Sequence, residues 1–170
     1  MIYGIFAYDN NGGFGNQNSL PWPYLKYDME QFVSKTINHI VVMGYNTFLS
    51  IGRPLNNRIN IIIHGNQKRP LNCLYNNCIW MGMDDLVHLM NVHKTKLNTK
   101  KDIFIIGGVK LLESTYDYID QLLITRIQDT FICDTFINTY LIEKHFPITL
   151  YSSQQYEEKG CKYYFQIRKK

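Results

Sequence analysis

Apolar side chains occupy both parities of Ile2-Tyr3-Gly4-Ile5-Phe6-Ala7-Tyr8, as a strand covered on both faces requires, and the run Asp9-Asn10-Asn11-Gly12-Gly13 ends it. After Trp22 the period changes. Leu25, Met29, Phe32 and Val33 recur at helical spacing, and Pro23 suits a first helical turn. His39 to Met43 reads as a short buried strand ending at Gly44, followed by a brief helix through Ile51 that Asn46-Thr47 caps and Gly52-Arg53-Pro54 breaks. Ile59 to Ile63 and Ile79 to Met81 predict two more buried strands with a polar loop between them. The second leads into a helix with Leu86, Leu89 and Met90 on one side. Ile103 to Ile106 runs into Gly107-Gly108 and a helical stretch from Val109 to Ser114, so a strand meets a helix N-terminus across two glycines, a junction suited to an anion. Leu122-Leu123-Ile124, Leu150-Tyr151 and Tyr163-Tyr164-Phe165 make the last third strand-rich, without clear helices between them.

Strands alternating with helices through the first two-thirds predict an α/β fold with right-handed crossovers and a mostly parallel sheet, to which the late strands add antiparallel pairs. A chain of 170 residues with no repeat or linker is read as one domain over residues 1–170.

Composition narrows the function classes. With 45% hydrophobic and 19% charged residues the chain can bury a core, which excludes disorder. The net charge of +4 is dispersed, so neither nucleic acid nor a membrane surface is an expected partner. The longest apolar runs are strand-sized, short of the roughly 20 residues of a spanning helix. The N-terminus lacks the basic region of a targeting peptide, and a cytoplasmic monomer is expected. Cysteines 73, 78, 133 and 161 form no C-x-x-C pair and no zinc spacing, so four unpaired thiols and no metal are expected.

The chemistry centres on Asp28. It sits beside Met29 and Phe32 on the first helix, where the period points inward or to a rim. A carboxylate facing inward needs a partner there, whereas one on the outer surface is simply solvated.

A run of motifs in order carries a resemblance: Ile5-Phe6-Ala7, Gly15, Leu20-Pro21-Trp22, Asp28 with Phe32 and Thr36, Met43-Gly44, and Thr47 through Leu55. Arg58, Ile106-Gly107-Gly108, Thr125 within Leu123 to Ile127, and Asp134-Thr135-Phe136 continue it. In these the chain resembles the dihydrofolate reductase family. The resemblance implies a single-domain fold with a central, mixed, mostly parallel sheet flanked by helices and antiparallel C-terminal strands. It also implies reduction of 7,8-dihydrofolate to 5,6,7,8-tetrahydrofolate by hydride from a reduced nicotinamide.

In those roles Asp28 accepts the adjacent N–H donors of the pterin, Thr125 orients that carboxylate, and Trp22 fixes a water. Ile5, Ala7, Leu20, Met29, Phe32, Ile51, Leu55 and Ile106 wall the slot, and the planar fork of Arg58 clamps the carboxylate of the glutamyl tail. Ala7, Gly15, Gly44, Tyr45, Asn46, Thr47, His64, Gly107, Gly108, Val109, Lys110 and Leu112 are the cofactor positions the resemblance implies.

The pattern departs at the cofactor end. Tyr45 replaces a usual cation, His64-Gly65 replaces Ser or Thr with a polar or basic residue, and Met81 aligns with a further basic position. Leu112 replaces a common Tyr, and Val109 a smaller residue. NADPH is therefore expected with NADH as an option, and Lys68, Arg69, Lys110 or a protonated His64 are the cations that compensate. Two other readings stay open: a relative acting on another pterin-like ring, and a binding protein that has lost turnover.

Overall fold

The doubly apolar run at the N-terminus becomes the middle of a sheet. In the computed structural model, which describes residues 1–74, 76–96 and 100–170, β1 (Ile2–Tyr8) pairs in parallel with β6 (Ile103–Gly107) and with β7 (Gln121–Ile127). Beyond β6 follow β3 (Ile40–Gly44), β4 (Ile59–Ile63) and β5 (Cys78–Met81), all parallel. Beyond β7 the direction reverses: β11 (Cys161–Lys169) is antiparallel to β7, and β9 (Ile148–Ser152) and β10 (Tyr156–Glu158) are antiparallel to β11. A separate two-stranded ribbon joins β2 (Gly13–Gly15) to β8 (Thr135–Phe136).

The helices α1 (Lys26–Thr36), α2 (Tyr45–Ile51), α3 (Met83–Thr95), α4 (Val109–Thr115) and α5 (Thr139–His145) complete the chain. The period of two along β1 sorts its side chains: Ile2, Phe6 and Tyr8 enter the large core with Leu86, Met90, Leu112 and Ile142, while Tyr3, Ile5 and Ala7 face the opposite side. Among the described residues no helix is long and apolar enough to cross a membrane.

Four features correct the expectations. The first helix opens at Lys26, because Trp22 and Leu25 are drawn into a core with Ile127 and Tyr163 and leave Leu25 extended. Gly44, where β3 runs directly into α2, is the N-cap in place of Asn46-Thr47, and Gly52 ends that helix at φ 81°. The short α5 escaped the pattern because it buries a single residue, Ile142; Asn138 caps it by accepting from Leu141 N at 3.3 Å. The thiols are not all free. A 3-10 turn over Leu71–Cys73 folds back on the start of β5, where Cys73 and Cys78 are joined with their Cα atoms 5.6 Å apart; Cys133 and Cys161 are free.

Candidate active site

The carboxyl ends of parallel strands are where α/β sheets open into clefts. Here a cavity of about 1330 Å³ lies across the ends of β1, β3, β4 and β6, between α1 and α2. That exceeds the roughly 300–1,000 Å³ of an ordinary small-molecule site and leaves room for two extended ligands. Ile5, Ala7, Gly15, Leu20, Asp28, Met29, Phe32, Gly44, Tyr45, Asn46, Thr47, Ile51, Leu55, His64, Ile106, Gly108, Val109, Lys110 and Thr125 line it.

Asp28 is the third residue of α1, where the helix dipole favours a carboxylate. Thr125, paired between Ala7 of β1 and Phe165 of β11, donates its hydroxyl to Asp28 Oδ1 at 2.6 Å. Burial raises the proton affinity of Asp28, the Thr125 hydrogen bond lowers it, and the charge of Glu158 raises it again, with a net upward displacement. The inward reading of the sequence is the one realised.

Arg58 is 8% exposed and lies behind the wall rather than on it. Its Nε donates to Thr36 Oγ1 at 2.8 Å, its Nη1 to Asn56 O at 2.7 Å, and its guanidinium lies 5.8 Å from the centre of the Phe32 ring. Among the described residues Nη2 is buried with no partner. Thr36 in turn donates to Phe32 O at 2.8 Å, so the arginine is anchored to the helix that carries Asp28.

Three further expected residues are off the wall. Trp22 is buried under the entry to α1, edge-on to Phe131. Leu112 is fully buried in the large core, on the face of α4 turned toward Gly4. Gly107 stands just behind the surface at φ 128°, where an added Cβ would come within 3.4 Å of the Phe14 ring and 3.7 Å of Thr47 Oγ1. The peptide between Gly107 and Gly108 is cis.

The roof was not foreseen. Phe14, Asn18 and Ser19 line the cavity, carried by a loop that Asp9 organises. Fully buried, Asp9 accepts from Asn11 N at 2.9 Å, Gly13 N at 2.7 Å and Phe131 N at 2.9 Å. An Asp followed by glycines carries an Asx-turn signal, the one local trace of this loop beyond the end of β1.

At the other end of the cavity His64 stacks on Trp80 at 5.1 Å with planes 19° apart, and Tyr45 meets Trp80 edge-on at 6.0 Å. Met81 packs toward the large core, so the alternation of β5 puts Trp80 rather than Met81 beside His64. Arg69 is off the cavity lining, its Nε donating to Cys73 O and its Nη2 to Cys73 O and Cys78 O.

Residues 1–170 match the family model described as Dihydrofolate reductase. The chain belongs to the dihydrofolate reductase family. It is 33% identical over 165 residues to the dihydrofolate reductase of Ureaplasma parvum serovar 3, covering 91% of this chain and 99% of that one. The dihydrofolate reductase of Bacillus subtilis is 33% identical over 147 residues, 86% of this chain and 76% of that one. The fold is shared with a dihydrofolate reductase from Enterococcus faecalis complexed with NADP(H) and RAB-propyl, with a TM-score of 0.81 over 99% of this chain and 95% of that one at 24% identity.

For a dihydrofolate reductase the departures now have a geometry. The backbone is bare where β3 and β6 end side by side: a Cβ at Gly44 would lie 3.7 Å from Gly108 N, and one at Gly108 would lie 3.6 Å from Thr47 Oγ1. Bare backbone of this kind at a helix N-terminus suits an anion. The rim beyond it is aromatic, with Lys110 as its cation on the cavity wall.

Proposed function

We propose that this dihydrofolate reductase binds the pterin of 7,8-dihydrofolate against Asp28 and reduces it to 5,6,7,8-tetrahydrofolate. The observation that supports this reading best is one carboxyl, aimed into an apolar cavity and held there by Thr125 at 2.6 Å. A pterin presents adjacent N–H and amino donors, and a carboxylate on a rigid helix accepts both. Thr125 takes one lone pair of Oδ1 and fixes the plane of the group. The cavity walls of Ile5, Ala7, Leu20, Met29, Phe32, Ile51, Leu55 and Ile106 keep water from the ring, so the negative charge of Asp28 acts at full strength on the proton affinity of pterin N5.

The nicotinamide cofactor, when bound, supplies the hydride. Gly15, Gly44, Asn46, Thr47, Gly108 and Val109 would hold it along the bare backbone, with Lys110 facing its phosphates. NADPH is the cofactor this reading favours. Because Tyr45 and His64 bring aromatic rings rather than fixed cations to the rim, NADH is admitted as well. Arg58, whose buried Nη2 has no partner among the described residues, reads the carboxylate of the glutamyl tail at the edge of Phe32. Trp22 supports the site through packing beneath α1. The setting is a cytoplasmic monomer acting on small molecules.

The test is loss of reduced-nicotinamide absorbance by the purified protein with dihydrofolate. Turnover in the wild type and its collapse in Asp28→Asn support the reading; a wild type that consumes neither reduced cofactor overturns it.

A further inference from the structure

Helix α1 has no cap of its own. The residue before it is Leu25, 4% exposed and extended, which has no side-chain oxygen for the free N–H groups of the first turn. The missing acceptor comes from a distant hairpin. Glu158 Oε1 accepts from Lys26 N at 3.0 Å, and Glu158 Oε2 accepts from Tyr27 N at 3.3 Å and from the hydroxyl of the fully buried Tyr163. The hairpin is stiff: β10 and β11 are joined by the two residues Lys159 and Gly160, both at positive φ, and Glu158 pairs with Cys161. Thus one carboxylate ties the turn that carries Asp28 to the strand that flanks Thr125.

We propose that Glu158 is the positioning residue for Asp28, capping its helix from the β10–β11 hairpin and, through its charge, setting the pH range in which Asp28 serves the reaction. This rests on the reading of Asp28 as the substrate-orienting acid. Two carboxylates at one helix end repel, and the one that holds its proton less tightly keeps the charge. The Tyr163 hydroxyl and the Tyr27 and Lys26 N–H groups stabilise Glu158 as the anion, below its ordinary range. Asp28, desolvated and facing that anion, moves the other way.

The titratable groups around this corner are few. On α1 they are Asp28, Tyr27 and Lys26, the last paired with Glu30 at 3.8 Å. Glu158 and Tyr156 face it from β10 and Cys161 and Tyr163 from β11, while β7 presents the neutral Thr125. Lys159, next to Glu158, reaches outward over the Tyr24 ring at 5.6 Å.

The variants are Glu158→Gln, which keeps shape and loses charge, and Tyr163→Phe, which loosens the cap and leaves the charge. Two readouts are taken: the titration of the Asp28 carboxyl in the ligand-free protein by carbon NMR, and the pH profile of the hydride-transfer rate with dihydrofolate. Glu158→Gln is expected to move the Asp28 midpoint to lower pH and, by withdrawing a negative charge that helps the Asp28–pterin pair keep its proton, to make the rate fade at lower pH, a several-fold loss above neutrality. Tyr163→Phe is expected to lower the melting temperature with the midpoint in place. An Asp28 midpoint unmoved by Glu158→Gln overturns the proposal. A midpoint that moves while the rate profile stays where it was upholds the coupling and overturns the role given to Asp28. Should Glu158→Gln not fold, Glu158→Asp draws the charge back by one methylene, and a smaller displacement in the same direction is the expected result; none overturns the coupling.

Discussion

The two ends of the cavity are built differently. At the end proposed for the substrate, two ionisable side chains, Asp28 and Arg58, are committed to partners inside the protein. Asp28 is bound by Thr125, and Arg58 is bound by Thr36 and Asn56 with one nitrogen left over. At the end proposed for the cofactor, Gly44 and Gly108 leave backbone bare beside a rim of Tyr45, His64 and Trp80 rings. A charge buried in an apolar wall is costly unless its geometry is fixed, so the first end has been made rigid. Phosphates keep much of their hydration and are met by N–H groups, so the second end tolerates changes in side chain. Substitutions at the first end should therefore act on rate and substrate binding, and those at the second on the choice between cofactors.

Asp28→Asn tests the contrast most severely. Turnover at neutral pH should fall about 100-fold or more, measured at saturating dihydrofolate and reduced cofactor. Stability should move the opposite way. Burial lifts Asp28 above the ordinary carboxylate range, so the folded state holds this proton more tightly than the unfolded chain, and the stability it contributes at low pH is lost as pH rises through the raised value. The ligand-free Asn variant should therefore melt no lower than wild type at neutral pH, with its advantage closing as pH falls. A variant both inactive and destabilised at neutral pH would make Asp28 a structural residue.

Arg58→Leu removes a charge-assisted clamp and should weaken dihydrofolate binding by about 2–4 kcal/mol while leaving hydride transfer from the saturated complex much less changed. A tail-free pterin supplies the control. Equal loss for both substrates would show that Arg58 acts through Phe32 and Thr36 alone.

Tyr45→Arg places a fixed cation at the aromatic rim, where one charge-assisted contact should raise the ratio of kcat/KM for NADPH over NADH about tenfold. If the wild type already discriminates strongly and the variant does not move it, Lys68 or Lys110 has restored the site.

The smallest effect is expected of Thr125→Val. Its hydroxyl favours the ionised form of Asp28, so its loss should push the Asp28 midpoint further up, opposite in sign to Glu158→Gln. Movement in the same direction for both variants would mean that reorientation of Asp28, rather than charge, governs its titration.

Much of this was legible in the chain. The strands at Ile2–Tyr8, Ile40–Gly44, Ile59–Ile63 and Ile103–Gly107 carry apolar side chains on both faces and were visible as runs. The helix with Leu86 and Met90 repeated its period, and both residues are buried. What escaped had weak local signals. Helix α5 buries one side chain, and the roof loop is short and polar apart from Phe14. Arg69 looked like a free cation because nothing local shows that the turn at residues 71–73 brings the carbonyl of Cys73 within 2.7 Å of Nη2.

By itself the sequence determined the class of sheet, where most of its parallel strands lie along the chain and the candidates for the chemistry, because periods of two and 3.6 and glycine turns act over a few residues. Only the tertiary structure decided which candidates work together. Thr125 meets Asp28 across 97 positions and Glu158 caps Lys26 across 132, and the alternation that sends Trp80 rather than Met81 to the cofactor rim depends on how β5 registers against β4. Such partners are selected by sheet pairing and by the need to satisfy buried donors and acceptors, and a hydrogen bond between distant segments leaves no period in the chain to read.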